Sequence, residues 1–200
     1  MPPRGPGDDI AVPASPIHGS PSGNGDAAGL GPLDPKFLSI YLSDHLAGAM
    51  GGLELARRSA KSNAETEFGP FLARLAAEIQ EDRSTLIDVM GRLRVSRDRV
   101  KEALGWTAEK LGRLKLNGRI RGYSPLSRLV ELEALVMGVS AKLAMWRALG
   151  LVAAGEERLD GVDFVALADR ATRQLEEIES HRLRAAAVAL TEAKPSDPEL

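Results

Sequence analysis

SPLSRLVELEALVMGVSAKLAMWRAL, residues 124–149, decides the fold class. Ser124 followed by Pro125 marks a helix start, because a serine side chain caps free amides and a proline at the first helical position has no amide to lose. Leu126, Leu129, Val130, Val136, Met137 and Ala144 then return to one face at about 100° per residue, the helical period. Leu132, Leu135, Val139, Met145 and Trp146 lie off that stripe, so the segment is apolar nearly all round. Such a helix is central in a bundle, or is buried by a second subunit or a connecting helix.

Three further segments carry the same period. From Pro35 to about Ser62, Leu38, Leu42, Leu46, Ala49, Leu53 and Ala56 share a face, and the small run Gly48 to Gly52 at its middle predicts close approach by a neighbouring helix. The next segment starts within a turn of Pro70 and carries Phe71, Leu72, Leu75, Ile79, Leu86 and Met90 on one stripe. Its short link to the first makes the two antiparallel neighbours. The last spans about Gly161 to Leu190, with Phe164, Ala171, Leu175, Ile178 and Ala185 inward, after a loop from Gly150 to Asp160.

Between Arg92 and Arg121 lie ten Lys or Arg against three acids, so this connector is locally basic. Ser96 is placed to cap a short helix with Val100, Leu104, Leu111 and Leu114 on its apolar side, ending at Asn117-Gly118. Residues 1–34 hold seven prolines among Gly, Ser and Asp and are expected to be a disordered tail, with the bundle at 35–191 and a frayed end at 192–200. With 44% hydrophobic residues and a net charge of −2, composition gives no overall pull toward nucleic acid or anionic lipid. The absence of cysteine excludes disulfides, thiolate metal ligands and cysteine catalysis. No signal-peptide pattern and no unbroken run of eighteen apolar residues occurs, so the expectation is a cytoplasmic protein without a membrane span.

Two helical hairpins joined by one long connector resemble the ferritin-like four-helix bundle, an all-α fold. In its di-iron members one helix of each hairpin offers a Glu and the other a Glu-x-x-His pair. This sequence departs from that pattern: the second segment has Glu78, Glu81 and Asp82 without His, and in the fourth Glu177 lies four residues before His181 and Glu179 two before it. The family's metal ligands therefore do not transfer residue by residue.

Polar residues on apolar faces are the remaining candidates for chemistry. Helical spacing sets His45 beside Leu42 and Ala49, and Asp82 beside Ile79 and Leu86, at matching levels for a turn near residue 63, which predicts an imidazole–carboxylate hydrogen bond. On the other hairpin Glu133 is level with residues 179 to 182, predicting an ion pair with Arg182. The functional reading is an iron or manganese site drawn from His45, Asp82, Glu133, Glu179 and His181. The structural reading, which is preferred, is a set of ion pairs that fix helix register, because the interleaved arginines neutralise the charge a divalent cation needs. No glycine-rich phosphate loop, nucleophile elbow or His-Glu-x-x-His motif is present. The expectation is a non-catalytic ferritin-like bundle that works through a protein partner or as a homo-oligomer. A metal-binding oxidase or iron-handling protein is the first alternative, and nucleic-acid or anionic-surface binding by the basic connector is the second.

Overall fold

In the computed structural model, the described residues are 31–95 and 123–191. Asp34 opens helix α1 (Pro35–Ser62), its carboxylate accepting from the amides of Lys36 at 2.8 Å and Phe37 at 3.1 Å. The turn that follows is tight around Gly69, where a Cβ would fall 2.7 Å from the Asn63 carbonyl oxygen, so only glycine fits there. Helix α2 (Gly69–Arg92) begins at once, with Pro70 in its first turn as predicted. It ends in a Schellman turn, with Val95 N donating to Met90 O and Arg94 N to Gly91 O. Arg94 occupies the left-handed position of that turn at φ 55°, where glycine is usual.

Helix α3 (Pro125–Ala153) is capped by the Ser124 hydroxyl as read from the sequence, but runs four residues past the predicted end at Leu149. The loop after it contains a short 3-10 turn, Glu157–Leu159, that buries Leu159. Helix α4 (Phe164–Ala189) starts later than the predicted Gly161. Gly161 instead makes a left-handed turn at φ 78°, and the Asp163 carboxylate caps the helix through the Ala166 amide at 2.8 Å.

Side-chain pairs fix the directions of the four helices. Arg74 with Glu177 and Glu78 with Gln174 set α2 antiparallel to α4, and Ser59 with Glu131 and Asn63 with Arg128 set α1 antiparallel to α3. Arg128 lies over Phe68 and Lys142 reaches Asp82, so α3 runs parallel to α2. The end of α2 and the start of α3 therefore lie at opposite ends of the bundle. The predicted connector helix lies outside the described residues, as do residues 1–30 and 192–200 of the predicted tails.

The core is shared by all four helices, with Leu42, Leu46, Leu72, Leu86, Leu132, Trp146 and Ile178 among its fully buried side chains. On α3 the expected stripe turns inward only in part, at Leu129 and partly at Val136. Leu132, Leu135, Val139, Met145 and Trp146 are buried, whereas Leu126, Val130 and Met137 face outward. The outer set contains Glu133 and Ser140, both exposed, while the inner set presents the larger unbroken apolar area and so wins the core. By length and composition α3 is apolar enough to cross a membrane, and 28% of its most apolar eighteen-residue window is buried in the bundle.

Candidate functional site

A polar layer crosses the interior between α2, α3 and α4. Asp82, only 2% exposed, sits one helical turn from Ile79 and Leu86 as the sequence predicts, but its partners come from elsewhere. Lys142 Nζ donates to its Oδ2 at 2.5 Å, and the Arg170 guanidinium lies against Oδ1 as an ion pair, though Oδ1 accepts no well-aligned hydrogen bond. Gln174, also 2% exposed, accepts from Lys142 and donates to Glu78 Oε2 at 2.8 Å. Burial pushes the Lys142 amine down from its ordinary range, while Asp82 pulls it back. Arg170 also reaches Glu81 at 3.1 Å, nearer the surface.

His45 does not hydrogen-bond to Asp82, which corrects the expected pair. Both residues instead border one cavity of about 280 Å³ in a cleft between α1 and α3, with α2 contributing Ile79, Asp82 and Leu86. His45 is half-buried, meets Tyr41 edge to face, and is pushed down by burial against the opposing pull of Asp44. The cleft exists because its walls are small: Gly48, Gly52, Ala134, Gly138 and Ala141 line it. Among the described residues, a Cβ built on Gly48, Gly52 or Gly138 would meet nothing within 4 Å. The glycines of α1 thus leave space open rather than admit a close neighbour, contrary to the expectation.

The other three sequence candidates lie away from this cavity. Glu133 pairs with Arg182 at 3.8 Å as expected, but on the rim, and Glu179 holds the same guanidinium through two bonds of 2.6 and 2.7 Å. His181 stacks on Phe71 with ring centroids 3.9 Å apart, meets Phe68 edge on, and has its Nδ1 2.8 Å from the Glu177 carbonyl. His45, Asp82, Glu133, Glu179 and His181 therefore do not converge. No group of three or more His, Asp or Glu placed to hold a metal occurs among the described residues.

A second polar hub ties α1 to the start of α3. Asn63 is fully buried; its Nδ2 donates to Tyr123 Oη at 2.6 Å and to Ser59 O at 2.8 Å, and its Oδ1 accepts from Arg128 at 2.6 Å. Tyr123 in turn donates to Glu131, which also accepts from Ser59 and pairs with Arg58. Burial, with the nearby Glu131 charge, pushes the Tyr123 phenol up to about 12. The unfolded phenol loses its proton near pH 10, so this contribution to stability is intact below that and declines as pH rises toward 12. In ultraviolet titration the late phenolate transition near pH 12 is expected to vanish in Tyr123→Phe, leaving Tyr41 alone.

Lys142, Arg170, Gln174 and Asn63 were not singled out by sequence reasoning. Lys142 and Gln174 do stand on otherwise buried faces, Lys142 three and four residues from Met145 and Trp146 and Gln174 four from Ile178, and that spacing was the available signal. Compared with protein-family models, curated proteins and solved structures, the chain matches none of them.

Proposed function

We propose that this protein is a non-catalytic, ferritin-like helical bundle that acts by association, with a second copy of itself as the partner. The ferritin-like assignment is supported by the order of the helices: two antiparallel hairpins whose consecutive helices α2 and α3 are parallel, with the end of α2 and the start of α3 at opposite ends of the bundle. The non-catalytic assignment is supported by the polar layer, in which both oxygens of Asp82 are engaged by cations.

The observation that carries association is the outer face of α3. Leu126 is 50% exposed, Val130 54%, Met137 68% and Leu151 54%, a stripe about 38 Å long at the helical rise. Charges on the same helix favour a second copy as the occupant. A two-fold antiparallel contact centred on Ser140 brings Glu133 of each copy opposite Arg147 of the other, twice over, with Met137, Ala141 and Ala144 between. Sedimentation of the full chain is expected to give a dimer that Met137→Glu dissociates by at least tenfold in Kd. A strict monomer at high concentration, or a dimer indifferent to Met137→Glu, contradicts the proposal, as does preferential binding of α3 to lipid vesicles.

A further inference from the structure

The cleft between α1 and α3 is built as a container, and of its lining only Ala141 also belongs to the proposed contact on the outer face of α3. Glycine in a helix interior costs about 1 kcal/mol relative to alanine. Gly48, Gly52 and Gly138 gain no packing in return from the described residues, none of which comes within 4 Å of the place a Cβ would take. The cavity, at about 280 Å³, is close to twice the roughly 150 Å³ that accepts benzene in a designed void. It therefore has room for a ligand of two fused rings or a branched chain of similar bulk.

Unspent hydrogen-bond donors stand at its wall. Trp146 borders the cavity, is fully buried, and its Nε1–H has no acceptor among the described residues. A buried donor left unpaired costs about 1 to 3 kcal/mol. Lys142 borders it too: the ammonium carries three protons, of which Asp82 and Gln174 take two. Trp146 and Lys142 are donors only, and Arg83, a third, lines the same cavity. Asp82, the acceptor on the same wall, is already held by Lys142 and Arg170, and the other carboxylate of the lining, Asp44, is exposed to solvent on α1. The complement is an apolar body ending in a group that accepts hydrogen bonds and carries negative charge. We infer that the cleft binds a compact aromatic or branched carboxylic acid, its apolar body against Ile79, Leu86 and Val139 and its carboxylate on Trp146 Nε1 and Lys142 Nζ.

Calorimetric titration of the full chain with naphthalene-2-carboxylate tests this. One saturable site is expected, weakened at least tenfold by Gly52→Leu, whose side chain enters the cavity, and changed less than twofold by Gly51→Leu, the neighbouring glycine that does not line it. Trp146→Phe, which keeps the ring bulk and removes the donor, is expected to weaken binding three- to tenfold, with circular dichroism verifying that each variant is folded. Naphthalene-2-methylammonium is expected to bind at least tenfold more weakly than the carboxylate. Absence of saturable binding to the unaltered protein overturns the inference. So does equal loss in the two glycine variants, or an ammonium probe that binds as well as the acid.

Discussion

Asp82→Ala is expected to destabilise the bundle by about 3 to 5 kcal/mol in denaturant unfolding, the range for removing one partner of a buried ion pair. The cost falls mainly on Lys142, whose side chain is 14% exposed and which would keep only Gln174 as an acceptor. Arg170 is better placed, because it retains Glu81 at the surface. Replacing both partners together, Asp82→Leu with Lys142→Met, strands no charge and is expected to stay within about 1.5 kcal/mol of the unaltered protein. Single and double losses that simply add would mean that Asp82 and Lys142 do not share an interaction.

Trp146→Ala is expected to cost about 3 to 5 kcal/mol, the range for emptying a large aromatic site in a core. The ring is fully buried, packs near Phe164 with centroids 6.2 Å apart, and forms part of the cavity wall. Its removal joins new empty volume to space that small neighbours cannot fill, so little relaxation offsets the loss. Trp146→Phe should cost far less, because no hydrogen bond from Nε1 to a described residue is given up. A thermal unfolding midpoint for Trp146→Ala close to that of Trp146→Phe would show that the indole is not packed in the core.

Much of the helical layout was legible because local signals were strong and agreed with one another. Pro35, Pro70 and Pro125 in first turns, and the Ser124 cap, stand where the periodic pattern begins. Hairpin arithmetic placed Glu133 beside Arg182 and His45 level with Asp82, since a short link leaves antiparallel helices one register. The inward face of α3 was not legible. A helix apolar all round has no single stripe, and only its neighbours decide which of two faces is buried. The partners of Asp82 were missed for a related reason: Lys142 comes from α3 and Arg170 from α4, and their nearness to α2 depends on α3 running parallel to it. The glycines of α1 were misread because small residues suit both a close contact and an open cavity, and only the position of α3 separates the two.

The proposed two-fold contact between α3 helices has a direct chemical test, because the chain contains no cysteine to interfere. In Ser140→Cys the two thiols would lie at the symmetry axis, within the Cα separation of about 4.4 to 6.8 Å that a disulfide allows. Asp88→Cys puts a thiol on α2, outside that face, as the matched control. Under mild oxidation the Ser140→Cys protein is expected to become covalent dimer at micromolar concentration at least tenfold faster than the Asp88→Cys protein, and to lose that advantage when Met137→Glu is added. Equal rates for the two cysteine variants would contradict association through the outer face of α3.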